Sequence, residues 1–266
     1  MPLTPQKIEE LAKKMVLSVQ DYAVFCWQAV GNLFRTPHYW SDVMTQADLI
    51  GVGSMPIVVL TGFFTGGVLA LQSAASLAQF GAQSQTGRFV SLSMIRELAP
   101  VLTGLMVSGR NASGIASELG SMVVTEQIDA MRALGTDPTK KLVTPRLIAT
   151  VLMLFLLTIV SDTLGTAGGA TVAVFLNGQN GTQFLTSAYQ ALSYADVVQG
   201  LTKPLVFGFI IASIGCLFGM KTTGGTQGVG RATTQAVVVS SVLIIFSDFI
   251  LSRIMLWLLP LLGLGS

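Results

Sequence analysis

Charged side chains inside apolar stretches are the first candidates for chemistry in this sequence. Arg96 and Glu97 are adjacent and precede Pro100 by about one turn; Asp162 and Asp248 each stand inside a long apolar run. Arg110 and Glu118 are eight residues apart, about two turns, so they share a helix face without touching. Charge in an apolar helix is costly, so such residues pair, bond across helices, carry protons or meet a polar ligand. Two such aspartates raise intramembrane proteolysis, but they read VSDTLG and FSDFIL, without the Tyr and Gly-x-Gly surroundings of those enzymes. Bonding across helices or to a basic partner is the better reading of both. NASGIAS around Ser113 offers a serine, yet the one histidine, His38, lies outside the apolar runs and no base is at hand.

Metal and nucleotide chemistry fare no better. Cys26 and Cys216 stand at no ligand spacing, and one histidine cannot build a zinc site. In GGTQGVGRATT, Gly225 and Gly230 have the spacing of a phosphate-binding loop, but Arg231 and Ala232 follow where Lys and Ser or Thr are required. That segment reads as a flexible turn. No cofactor or metal is expected in this chain.

The densest charge lies elsewhere, in TEQIDAMRALGTDPTKK, with Glu126, Asp129, Arg132, Asp137, Lys140, Lys141 and, just beyond, Arg146. Thr125 is placed to cap a helix whose first turn carries Glu126 and Asp129, favourable at the positive end of the dipole. Ile128, Met131 and Leu134 fall on one face, Gln127 and Arg132 elsewhere, and Gly135 then Pro138 stop the helix. Residues 125–135 therefore predict a helix too short to stand alone, which needs headgroups or a partner's groove to pack on.

The elements that position these groups follow from composition. The chain of 266 residues is 51% hydrophobic and 11% charged, against roughly a quarter charged in an average soluble domain. Lipid must be the solvent for much of its surface. A net charge of +2 gives no argument for nucleic acid. Apolar runs at about 50–77, 92–123, 147–176, 204–220 and 235–260 predict five membrane helices. A hairpin of the first two that does not fully cross is the alternative.

Residues 5–35 predict an amphipathic helix, with Ile8, Leu11, Met15, Val19, Tyr22, Phe25 and Ala29 on one stripe, lying in the membrane interface. Its first apolar run follows several charges and no cleavage signal, so the helix is expected to be retained. The expected division is an interfacial helix and linker over 1–45 and a membrane domain over 46–266. Arg132, Lys140, Lys141 and Arg146 argue for a cytoplasmic loop, and no Lys or Arg occurs between Leu147 and Thr202. The expected orientation has the N-terminus in and the C-terminus out, with Arg88 and Arg96 counting against it. Gly62 and Gly66 form a GxxxG pair, and Gly109, Ser113, Ser117 and Ser121 repeat every four residues. Such stripes serve close helix packing within one chain or a seam between two copies.

The run LSMIRELAPVLTGLMVSGRNASGIASELGSMVVTEQIDAMRALGTDP, with GFFTGGVLALQ before it and GVGRATTQAVV after, resembles the MlaE/YrbE permeases. These are membrane subunits of MCE-associated ABC transporters that move phospholipids or related lipids between bacterial membranes. The resemblance covers roughly residues 45–255. It implies an all-α integral membrane protein of the inner membrane, not itself an enzyme, with ATP and Mg held by a separate cytoplasmic ATPase. It also implies a second copy of the chain, a periplasmic MCE-domain protein and phospholipid as partners. The short helix would be the coupling helix, with Thr125, Glu126, Gln127, Ile128, Asp129, Met131, Arg132 and Leu134 meeting the ATPase. The lipid cavity would open at the dimer interface toward the periplasm, with Arg96 and Glu97 and an apolar wall of Leu69, Leu71, Phe80 and Leu98. Arg96 would meet a lipid phosphate; a buried ion pair at a bent helix start is the competing reading of the two charges. A proton-driven lipid transporter using Asp162, Asp248 or Glu97 is the alternative function, and a membrane scaffold without transport a third.

Overall fold

A computed structural model describes residues 5–34 and 39–261, and all its regular structure among them is helical. Helix α1 spans Pro5–Gly31, and α2 runs unbroken over Trp40–Ala78. The next run, Gln83–Val124, is one long rod of α3 (Thr86–Ser93), α4 (Ala99–Val107) and α5 (Ser113–Val124), joined by π-helical turns at Met94–Leu98 and Ser108–Ala112. A short α6 (Gln127–Ala133) leads through a third π turn into α7 (Thr144–Phe175). Helices α8 (Gly181–Ala191), α9 (Tyr194–Met220) and α10 (Gly225–Leu261) complete the chain.

Five helical runs are long and apolar enough to cross a membrane: Trp40–Ala78, Gln83–Val124, Thr139–Phe175, Tyr194–Met220 and Gly225–Leu258. Each extends beyond the apolar run read from sequence. The 39 residues of α2 reach about 58 Å against a hydrocarbon core of roughly 30 Å. Helices therefore continue into the headgroup layers, where polar residues no longer oppose them. For the same reason the expected division at 45/46 falls inside α2, and the glycine-rich segment after Gly224 forms the first turns of α10 rather than a flexible loop. Helix α8 is an element that hydropathy did not indicate; Asn180 caps it by accepting from the Thr182 and Gln183 amides.

Small residues set the central crossing. A Cβ on Gly62 would lie 3.0 Å from the Ser161 carbonyl, and one on Gly66 would overlap the Gly165 backbone. Gly168 and Gly169 meet Phe63 and Gly66 in the same way, so α2 and α7 pack backbone to backbone. The second stripe differs. Nothing lies within 4 Å of a Cβ on Gly109, and Ser117 and Ser121 are exposed. Ser113 turns its hydroxyl back to the Gly109 carbonyl at 2.6 Å.

Helix α1 lies against the bundle near the α6 end. Tyr22 shares a hydrogen bond with Ser213 at 2.8 Å, and Asp21 pairs with Lys221 at 2.5 Å. Burial pushes the Tyr22 phenol up, so it stays neutral. Val16, Val19 and Trp27 remain exposed, an apolar surface suited to a membrane interface. His38 and the chain beyond Leu261 lie outside the described residues.

Candidate functional site

The rod's first π turn carries Arg96 and Glu97, and Pro100 governs what happens there. Proline has no N–H to give to the carbonyl four residues back, which is Arg96. That carbonyl accepts instead from Lys203 Nζ at 2.8 Å. The helix therefore continues through Pro100, with the π turn absorbing the lost bond. Gly200, one turn before Lys203, lets α9 approach closely enough that a Cβ there would strike the Ile95 carbonyl.

Lys203 is completely buried and is the hub of the site. Its ammonium meets Glu97 Oε2 at 2.5 Å and pairs with Asp248 Oδ1 at 2.9 Å. Glu97 also accepts from Ser252 Oγ at 3.2 Å and from Gln199 Nε2 at 3.3 Å. Arg96 pairs with Asp196, whose Oδ1 accepts from Nε at 2.6 Å. The other Asp196 oxygen accepts from the Ser193 amide at 2.9 Å and its hydroxyl at 3.0 Å, closing a capping box at the start of α9. Three helices thus converge on two cations and three carboxylates, each cation with a carboxylate at hand.

Above this ionic floor opens a cavity of about 600 Å³. Arg88, Arg96, Glu97 and Gln199 supply its polar wall, and Leu77, Phe89, Leu92 and Leu256 its apolar wall. Such a space fits an amphipathic molecule with a charged head. The apolar residues expected there are elsewhere. Leu69 and Leu98 pack into the core cluster around Val90 and Met94; Leu71 is half-exposed, and Phe80 is 82% exposed beyond the end of α2. The resemblance, not helix spacing, supplied these four positions, and Leu77 is the α2 residue that reaches the cavity.

Sequence reading missed Asp196, Gln199, Lys203 and Ser252. Hydropathy cut the fourth span at 204, just past Lys203. The available signal was helical spacing: Ser193, Asp196, Gln199 and Lys203 recur every three or four residues.

The other intramembrane charges are handled separately. Glu118 pairs with the buried Arg146 at 2.7 Å, and Arg110 donates to the Leu49 carbonyl and Ser54 Oγ, both at 3.1 Å. Asp162 is buried, and among the described residues its Oδ1 has no hydrogen-bond partner.

At the opposite end, Thr125 does not cap α6. It ends α5, donating its hydroxyl to the Ser121 carbonyl at 2.9 Å, and Glu126 turns the chain in the left-handed region at φ 60°. A sharp corner between two helices needs such a residue, and the sequence supplies Glu126 rather than glycine. Ile128 is buried, Met131 partly so, and Leu134 is 84% exposed. Asp129 and Arg132 pair at 2.7 Å on the open face, with Gln127 donating to Thr125 Oγ1 at 3.1 Å. Gly135, at φ 76°, follows the helix end as expected.

A helical bundle with five membrane-crossing runs, a charged cavity at one end and a short solvent-facing helix at the other is the build of a transport subunit. A family model described as "Permease MlaE" matches residues 43–254. The chain is 44% identical over 242 residues to a probable ABC transporter permease protein of Rickettsia typhi, covering 91% of this chain and 93% of that one. It is 46% identical to one from a Synechocystis strain, over 80% of this chain and 81% of that one. It is also 38% identical to the chloroplastic protein trigalactosyldiacylglycerol 1 of Arabidopsis thaliana, over 86% of this chain and 65% of that one. The chain belongs to the MlaE permease family and is a permease subunit of an ABC transporter.

Proposed function

We propose that this permease moves phospholipid or a related lipid between the inner and outer bacterial membranes, powered by a separate ATPase. Two copies work together in the inner membrane with a periplasmic MCE-domain protein. The N-terminus and α6 face the cytoplasm, and the cavity and C-terminus face the periplasm. ATP and Mg bind the ATPase, whose groove receives Thr125–Leu134 as the coupling helix.

The observation that carries this reading is the cavity itself: apolar on one wall, charged on the other, over an ionic floor. Arg96 uses Nε and Nη2 on Asp196, leaving Nη1 for a lipid phosphate. Each lipid tail loses roughly 0.8 kcal/mol per methylene exposed to water, so a lipid path needs such an apolar wall.

The unpartnered Oδ1 of Asp162 favours a second reading, a proton-driven lipid transporter. Reconstitution of the permease with its ATPase and MCE partner in proteoliposomes separates the two. Transfer of labelled phospholipid is expected to require ATP and to be indifferent to an imposed pH gradient. Transfer that ignores ATP and follows the gradient overturns the ABC reading of the mechanism.

A further inference from the structure

Arg110 stands 13 residues beyond Glu97 on the same rod, toward the α6 end, and takes no part in the cavity's network. Its depth in the membrane can be read from three neighbours. The polar boundary of the bundle at the α6 end falls at Asp48 in α2, Arg146 in α7 and Gln235 in α10, after which each helix turns apolar. Arg110 bonds Ser54, its neighbour Asn111 bonds Thr150, and Ser108 bonds Ser240. Those partners lie four to six residues past the boundary, about 6 to 9 Å at helical rise. Three helices thus agree that Arg110 starts within snorkelling reach of the headgroup layer.

The guanidinium is exposed yet held in place. Both of its bonds, to the Leu49 carbonyl and Ser54 Oγ, leave from Nη1. Among the described residues no carboxylate pairs with it, and Nε and Nη2 have no protein partner. Gly53 makes the seat possible, because a Cβ there would fall on the guanidinium. Around it the space is open: a Cβ on Gly109 or Gly114 would meet nothing within 4 Å. A fixed, uncompensated arginine at this depth calls for an anion, and its planar fork matches a phosphate.

We propose that Arg110, seated over Gly53, binds the phosphate of a glycerophospholipid in the leaflet at the α6 end, as a site separate from the cavity. The inference needs only that the chain spans a bilayer, and stands apart from the transport reading.

The test uses the full-length chain in nanodiscs and a phospholipid carrying a diazirine next to its phosphate, with labelled peptides mapped by mass spectrometry. Labelling is expected within residues 49–54 and 109–114. Arg110→Gln is expected to lower it there roughly tenfold, the loss of one charge-assisted contact, with labelling around Arg88 and Glu97 unchanged. Arg110→Lys should fall between, because it keeps the charge and loses the fork. Gly53→Val keeps every charge but blocks the seat, and should match Arg110→Gln even if the latter folds poorly. Labelling in Arg110→Gln and Gly53→Val as strong as in the wild-type chain overturns the proposal. So does equal labelling by a diacylglycerol probe without phosphate, or crosslinking of this region to a second copy instead of lipid. Displacement by excess inorganic phosphate would reassign the seat to a free anion. The labelling needs no ATP, so a chain that fails in lipid transfer but behaves as expected here loses only the transport reading.

Discussion

The π turn at Arg96–Glu97 and the helix at Gln127–Ala133 have similar charge on the page and opposite fates in the fold. At the first, charge turns inward: Lys203 is fully buried between Glu97 and Asp248, and Asp196 is buried against Arg96. At the second, charge turns outward: the Asp129 and Arg132 side chains stay 68% and 58% exposed and, among the described residues, answer only each other. The inward set is completed by the chain itself and fixes where three helices meet. The outward set is left for something else to complete. Stability should therefore depend heavily on the first and hardly at all on the second.

The largest effect is expected at Lys203. Lys203→Met removes the cation between two carboxylates and leaves the Arg96 carbonyl without the donor that Pro100 made necessary. Breaking a buried pair from one side costs about 3–5 kcal/mol. The variant should show a much lower Tm in detergent or fail to accumulate. Adding Glu97→Gln and Asp248→Asn should restore part of the loss, because the buried charge is then neutral throughout. A Lys203→Met protein as stable as wild type would show that the inward network does not hold the helices, and the contrast would collapse.

Glycines draw the same distinction at smaller scale. Gly66→Ala places a methyl group on the Gly165 backbone at the α2–α7 crossing, and overpacking of this kind costs about 1–3 kcal/mol. Gly109→Ala adds the same group where nothing lies within 4 Å, and its Tm as a single chain should be unchanged. A Gly109→Ala variant that loses a dimer while keeping its monomer Tm would show that the outer stripe is a seam between copies. Equal destabilisation of both would deny the inward and outward division.

How much of this was legible depended on what hydropathy can see. It counts apolar residues, so the five spans, the break after Val124 and the stop at Gly135 were readable. It is blind to direction, so it did not single out Leu77, while Leu71 and Phe80, which came from the resemblance, do not line this cavity. It also treats a lysine as the edge of a span, so Lys203, the best-buried cation of the site, was cut off. Helix α8 was missed because GTQFLTSAYQA is uncharged and only mildly apolar. The π turns have no periodicity of their own, but Pro100 marked one of them, since its missing N–H had to be compensated somewhere. Spacing of Ser193, Asp196, Gln199 and Lys203 would have found the α9 part of the site, though not Ser252 on α10.

The smallest expected change in stability is the most informative about the outward helix. Arg132→Ala removes one partner of an exposed pair at i,i+3, an interaction worth no more than about 0.5 kcal/mol and screened by salt. The Tm of the permease alone should not move measurably. Ile128 still anchors α6 to the bundle, so the helix keeps its place. If α6 is where the ATPase grips, the same substitution should reduce copurification of the ATPase, and a second change at the exposed Leu134 should reduce it further. The two readouts answer different questions. A fall in Tm would mean that Arg132 has a structural partner beyond Asp129. An unchanged Tm with unchanged copurification would leave the outward charge with no partner at this helix, and the coupling assignment would have to move elsewhere on that face.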